Sequence, residues 1–263
     1  MAETVEVLCV TMHQTDFSKY EAMNLNSDVV FANQADRTEF TQTALHGHTA
    51  KMITTATRGV GKNRNLALLY AEGDILLFAD DDVRYQDDYV EQVQRVYAEH
   101  PDADMILFSI EYTKNGMVFR QKSNRDSRMG LIGSLKNGTC VCSVRRKSLE
   151  KANIWFSTLF GGGTEYAHGE DTLFILAARR ALRVYGSSYS LGYCAKDVST
   201  CFWGYNDRYF YDQGVLYAAA FGRFARLMAL QFCLRKHGRY REQMTVGAAV
   251  KQMRKGIAHY GCR

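Results

Sequence analysis

Two clusters of carboxylates have the spacing and setting to do chemistry. Asp80, Asp81 and Asp82 stand in a row where the apolar run Asp74 to Ala79 ends, and Glu170 and Asp171 follow a segment containing Gly161-Gly162-Gly163. Adjacent acids repel one another unless a cation or hydrogen-bond donors neutralise them, and a divalent metal with a phosphorylated ligand is the natural resolution. The trio would equally suit a solvated helix start, because Asp is favoured at N-caps and a helical pattern follows from Gln86. Consecutive glycines cannot form a stable helix or strand interior, so the backbone there bends or closely approaches a ligand. The pair Glu170-Asp171 opens a strongly helical stretch, Thr172 to Leu182, where acids also complement the helix dipole.

The elements that must hold these groups alternate in type. Val5 to Val10 reads as a first strand ended by the polar turn Thr11 to Thr15. A short helical pattern runs through Tyr20 to Met23, and Asp28 to Ala32 and Lys51 to Thr55 read as further strands. Arg58 to Tyr85 supplies a Gly-punctuated turn, a helix from Lys62 to Ala71 with Leu66, Leu69 and Tyr70 at helical spacing, then a strand and the acidic trio. Asp74 to Ala79 shows no alternation, the pattern of a strand covered on both faces of a parallel sheet. Ligands of such sheets bind beyond the carboxyl ends of the strands. Asp87 to His100 forms an amphipathic helix with Val90, Val93 and Tyr97 on one face, and Asp104 to Ile110 is another buried strand. Tyr112 to Arg128 reads as a loop or hairpin over the site, and Asn137-Gly138 as a turn before the strand Thr139 to Val144. Strands alternating with helices predict a mostly parallel α/β sheet.

With 263 residues, 46% hydrophobic and 23% charged, the chain has an ordinary globular composition and can bury a proper core. Its start, MAETVEVLCV, lacks the basic residues and apolar core of a signal peptide, which predicts a cytoplasmic protein. The seven cysteines are scattered and suit reduced core thiols; Cys140 and Cys142 form only a C-x-C, without a second pair at zinc-ligand spacing. The net charge of +5 is unevenly placed: Arg223 to Arg263 holds ten Lys/Arg against the single acid Glu242, a local +9 that leaves −4 for the rest. No helix-turn-helix pattern or aromatic interleaving accompanies these charges, so no nucleic-acid partner is expected.

With both acid clusters in place, the chain resembles the family 2 glycosyltransferases of the GT-A fold over most of Val5 to Asp212. The motif RGVGKNRNLALLYAEGDILLFADDDVRY looks like the family's glycine turn, Arg-Asn helix and Asp-rich strand end, with Asp80-Asp81-Asp82 in place of its DxD motif. FSTLFGGGTEYAHGEDTLFI looks like the acceptor-side element that carries the family's Glu-Asp pair, 89 residues beyond Asp82. The resemblance implies a Rossmann-like, mostly parallel sheet flanked by helices, and inverting transfer of a sugar from a nucleotide-diphosphate donor, UDP-sugar by family habit. By the same resemblance Thr11 and Asp36 belong to the nucleobase pocket. Arg58, Gly59 and Arg64 belong to the donor site, and Asp80 and Asp81 face nucleoside and ribose. Asp82 would hold Mn²⁺ or Mg²⁺ against the diphosphate, Asp171 would be the base with Glu170 beside it, and Gly162, Gly163 and His168 would meet the acceptor, a glycan or lipid-linked glycan. The family often extends the acidic cluster by one residue, which is Val83 here. These roles are physically coherent. A sugar hydroxyl is a poor nucleophile and needs a base within hydrogen-bond reach, while the departing diphosphate needs positive charge.

Residues 1–206 are expected to form the catalytic domain, with a donor half to about 110 and an acceptor half from about 111, and 207–263 a basic helical extension. Asp197 is a weaker metal candidate, and Trp203, Tyr205 and Tyr209 would form either a sugar-stacking wall or ordinary packing. His46 and His48 read as solvated or hydrogen-bonded. No stretch approaches the roughly 20 apolar residues of a spanning helix. The basic helical patterns of the extension would lie on the anionic inner face of a membrane, or else pack on the sheet or in a homo-oligomer. Two rival classes share these features: a sugar-phosphate nucleotidyltransferase, against which no Lys/Arg-bearing Gly-rich loop follows the first strand, and a non-catalytic nucleotide-sugar-binding protein of the same fold.

Overall fold

The computed structural model describes residues 3–195 and 204–261; Asp197 and Trp203 lie outside them. Among these residues one mixed sheet is built from β1 (Val5–Met12), β2 (Asp28–Gln34), β3 (Glu39–Leu45), β4 (His48–Thr55), β5 (Ile75–Asp80), β6 (Val83–Tyr85), β7 (Met105–Lys114), β8 (Met117–Lys122), β9 (Ser127–Arg128), β10 (Cys142–Arg145) and β11 (Val184–Ala195). Its strand order is β3-β4-β2-β1-β5-β10-β7-β11-β6, with β8 on β7 and β9 on β11. Neighbours from β4 through β2 and β1 to β5 are parallel, as are β7 and β11, whereas β3, β10 and β6 run antiparallel. The helices are α1 (Ser18–Ala22), α2 (Val60–Leu69), α3 (Tyr89–Glu99), α4 (Leu131–Ser134), α5 (Arg146–Ala152), α6 (Glu170–Ala181), α7 (Asp207–Phe221), α8 (Ala225–Tyr240) and α9 (Val246–Gly261).

β5 explains the unbroken apolar run. Successive side chains point to opposite faces, so Ile75, Leu77 and Ala79 enter one core with Val93, Val96 and Tyr97 of α3. Leu76 and Phe78 enter the other, with Ala67 of α2 and Phe174, Ile175 and Ala178 of α6. Both faces are therefore covered, and β5 ends at Asp80 on the carboxyl edge of the sheet.

The acidic trio does not start a helix. The chain turns at Asp81 and Asp82 straight into β6, which pairs with β11 through Val83 and Cys194, and α3 begins only at Tyr89. α2 departs from its apolar spacing as well. Leu69 and Tyr70 are exposed, and the buried face is Gly61, Asn63, Arg64 and Ala67. That face is mixed: Ala67 enters the core, Asn63 bonds the backbone of β2, and Arg64 reaches the carboxylates. The segment expected to be a loop or hairpin is the β7–β8 hairpin, with Ile110 opposite Lys122.

The C-terminal helices form their own core, in which Phe210 of α7, Phe232, Cys233 and Tyr240 of α8, and Ala249 and Met253 of α9 are buried together. Tyr205 and Tyr209 pack there, against Tyr240 and Phe210, at ring separations of 5.8 and 5.3 Å. Among the described residues no helix is long and apolar enough to cross a membrane.

Candidate active site

Arg64 joins the two carboxylate clusters. Its side chain is 4% exposed; Nη1 reaches Asp171 Oδ1 at 2.7 Å and Glu170 Oε1 at 3.1 Å, and Nη2 reaches Asp80 Oδ1 at 2.9 Å. A guanidinium this deep requires carboxylate partners, since an unpaired buried charge is strongly destabilising. Burial works against its charge, but Asp171, Asp80 and Glu170 outweigh that and hold its pKa above the ordinary value. The flanking asparagines fix α2. Asn63 Nδ2 donates to Ala32 O at 2.6 Å, and Asn65 exchanges hydrogen bonds of 2.8 and 2.9 Å with the backbone of Phe156.

Glu170 and Asp171 occupy different environments within the first turn of α6. Burial, then the charge of Asp171, pushes Glu170 up to about 7 against the pull of Arg64. Asp171 is a third exposed and is oriented from the opposite side by Thr139, whose Oγ1 donates to Oδ1 at 2.7 Å, while the backbone N of Thr139 lies 3.4 Å from Oδ2. The two close donors fall on Oδ1, which leaves Oδ2 the less engaged oxygen. Lys122 of β8 is a cation that feels the charge of Asp171. Its Nζ donates to Lys136 O at 2.6 Å, and burial holds it down at about 8 although the charge of Asp171 acts to raise it.

The loop before α6 is shaped by close packing. Gly161 has φ 107°, and a Cβ there would sit 2.5 Å from Val60 Cγ1 and 2.8 Å from Glu170 Oε2. Val60 N donates to Gly162 O at 3.0 Å, and Gly163 lies against Gly59. Gly162 and Gly163 therefore seat the loop on the start of α2. α7 holds its other side: Ala167 N donates to the buried Asp212 at 3.2 Å, and His168 hydrogen-bonds Gln213 Oε1 at 2.8 Å and stacks on Tyr209. The extension thus forms one wall of the segment that leads into Glu170 and Asp171.

On the other side of the site, Thr11 Oγ1 donates to Asp81 Oδ2 at 2.6 Å and Lys19 Nζ lies 3.4 Å from the same oxygen. Arg58 pairs with Asp36. Thr11, Asp36, Arg58 and Asp80 sit at or just beyond the carboxyl ends of β1, β2, β4 and β5, the edge where open α/β sheets bind ligands. Asp82 is exposed and accepts from the Cys194 thiol at 3.2 Å. Among the described residues no three His, Cys, Asp or Glu are grouped to hold a metal. Cys140 and Cys142 form no disulfide, and burial pushes Cys140 up to about 12, so it stays a thiol.

Arg64, which the family resemblance places at the donor, also meets both acids of α6. Thr139, Lys122, Lys19 and Asn63 carry no motif that the sequence alone reveals, whereas Asn65 belongs to the Arg-Asn pair. Thr139 had one signal, its place directly after the Asn137-Gly138 turn.

A mixed, mostly parallel sheet flanked by helices, with carboxylates gathered at its carboxyl edge, is the architecture of the GT-A glycosyltransferases. The model of glycosyl transferase family 2 matches residues 20–158, just over half of the chain, and the chain belongs to that family and is a glycosyltransferase. Its fold is similar to S. aureus TarS 1-349 in complex with UDP-GlcNAc, with 17% identity, TM-score 0.67, and 98% of this chain and 80% of that one covered. The complex of TarS 1-349 with UDP gives 17% identity and TM-score 0.62 over 97% and 81% of the two chains. A further structure of TarS 1-349 gives 16% and 0.59 over 98% and 91%. No curated protein gives a significant match to the chain. Family membership favours the transferase over the nucleotidyltransferase and the non-catalytic binding protein.

Proposed function

We propose that the protein moves a sugar from a UDP-sugar to a hydroxyl of a glycan or lipid-linked glycan, with inversion, Asp171 acting as base. The observation that carries this reading is the Arg64 bridge, which gathers donor-side Asp80 and acceptor-side Glu170 and Asp171 within 3.1 Å of one guanidinium. The UDP and UDP-GlcNAc complexes of the similarly folded TarS support the choice of nucleotide.

In this mechanism Asp171 Oδ2 takes the proton of the acceptor hydroxyl as its oxygen bonds to the anomeric carbon and the bond to the diphosphate breaks. Arg64 and Thr139 hold the base in position through Oδ1. Glu170, largely buried, supports Arg64. Thr11 and Asp36 form the nucleobase pocket, Arg58, Gly59 and Arg64 belong to the donor site, Asp80 and Asp81 form its nucleoside and ribose side, and Gly162, Gly163 and His168 the acceptor side. Asp80 and Asp81 are engaged by Arg64, Thr11 and Lys19, and Asp82, exposed at the turn after β5, is the carboxylate that the family resemblance assigns to a cation. That donor set fits Mg²⁺ or Mn²⁺ held by one carboxylate and substrate phosphates rather than by a protein cage. The cation would neutralise charge on the departing diphosphate.

The domain reading keeps 1–206 as the catalytic unit, halved near 110, with 207–263 as its extension, in a cytoplasmic protein. A screen of nucleotide sugars for release of nucleoside diphosphate, with and without Mn²⁺ or Mg²⁺, tests the reading. UDP-sugar turnover is expected; turnover confined to another nucleotide would overturn the donor assignment, and none with any donor would overturn the reading as a whole.

A further inference from the structure

α8 carries an apolar stripe that the fold leaves outside. Leu227, Leu230 and Leu234 recur at helical steps of three and four, and Phe224 precedes them in the 3₁₀ turn Gly222–Phe224; they are 64, 43, 59 and 54% exposed. The helix cannot roll to hide them. Its opposite face, Ala225, Ala229, Phe232, Cys233 and Tyr240, is buried against α7 and α9.

The stripe is bordered by charge of one sign. Arg223, Arg226, Arg235, Lys236, Arg239 and Arg241 lie between residues 223 and 241, where no Asp or Glu occurs. Among the described residues none of the six forms an ion pair with a carboxylate. On the helical wheel Arg226 falls on one side of the leucines and Arg235 and Arg239 on the other. Arg223 lies over the Phe224 ring at 4.8 Å. Burial, together with the charges of Arg239 and Arg235, holds the Lys236 ammonium below its ordinary value, a sign of crowded like charge.

We infer that this face of α8 docks on an anionic lipid surface, with the leucines and Phe224 entering the acyl boundary and the arginines meeting lipid phosphates. Apolar groups flanked on both sides by cations match the layering of a bilayer surface, and long basic side chains reach headgroups while their stems cover apolar area. A second copy of the chain fits less well. A symmetric contact places the same patch on itself, setting the basic rows of one α8 against those of the other with no acid between them. The inference does not depend on the donor or acceptor proposed above.

The test is sedimentation of the full chain with vesicles of phosphatidylglycerol and phosphatidylcholine, and with phosphatidylcholine alone. Binding to the anionic vesicles only, released by salt, is expected. Arg226→Gln with Arg235→Gln should weaken it by roughly 5-fold per arginine, and Leu227→Ser with Leu234→Ser should abolish it. All four side chains are solvent-facing, so circular dichroism and the thermal midpoint should match the parent, and nucleoside diphosphate release should persist. Binding to neither vesicle, equal binding to both, or undiminished binding of the variants would overturn the inference. A dimer in sedimentation equilibrium that Leu227→Ser with Leu234→Ser dissolves, without vesicle binding, would overturn it in favour of a homo-oligomer, and dependence on an acidic protein in favour of that partner.

Discussion

Replacing Arg64 by Met removes the one cation shared by three carboxylates while keeping much of the side-chain volume over the Phe156 ring, where the guanidinium lies 5.4 Å from the centroid. Breaking a buried ion pair from one side costs about 3–5 kcal/mol. The lower end applies here, about 3 kcal/mol, because Asp80 is 43% and Asp171 33% exposed and water takes over part of the lost interaction. Glu170, at 12%, contributes most. Its pKa is raised in the folded protein, so its contribution to stability is complete below the unfolded value near 4.5 and is lost as pH rises through about 7. Without Arg64, which acts to lower that pKa, Glu170 stays protonated to still higher pH, and ionising it becomes more costly. The difference between parent and Arg64→Met should therefore be small at pH 5 and large at pH 8. Urea unfolding at the two pH values, read by circular dichroism, measures it. Adding Glu170→Gln to Arg64→Met should recover part of the loss at pH 8. A difference independent of pH, or below about 1 kcal/mol at pH 8, would refute the claim that one guanidinium neutralises this cluster.

Asp171→Asn should retain UDP binding, measured by calorimetry, while transfer falls about 10²-fold or more, and Glu170→Gln should lower transfer less; near-normal transfer by the Asn variant would move the base elsewhere. Thr139→Val removes the 2.7 Å hydrogen bond to Asp171. A loss of about 1 kcal/mol should appear as a roughly 5-fold lower kcat with KM for the donor unchanged, and an unchanged kcat would show that Arg64 alone orients the base. Asp82→Ala should abolish metal-dependent turnover with the thermal midpoint unchanged, and full turnover in excess EDTA would exclude the assigned cation.

The sheet's central strand and its flanking helices were legible because their patterns have one physical solution. The five-residue apolar run Ile75 to Ala79 can be covered only on both faces, as β5 is, and the period of Val93 and Tyr97 can bury only one side of α3. The acid clusters were legible as a site because like charges in a row demand a counter-charge. The edge elements were not. β3, EFTQTAL, is a mostly polar, half-exposed edge strand, and three-residue β6 is held by β11 more than a hundred residues later. A helical extension from residue 207 was legible, but its aromatics suit a sugar wall as well as the core that Phe210 enters. Nor could the apolar spacing of Leu66, Leu69 and Tyr70 reveal that α2 turns its polar face inward. Local periodicity reports which side chains avoid water on average. It does not report which cation will stand opposite which carboxylate, since Arg64 meets Glu170 and Asp171 across 106 and 107 residues of chain. That pairing depends on how α2 and α6 lie over the sheet, a long-range arrangement that the folded core imposes.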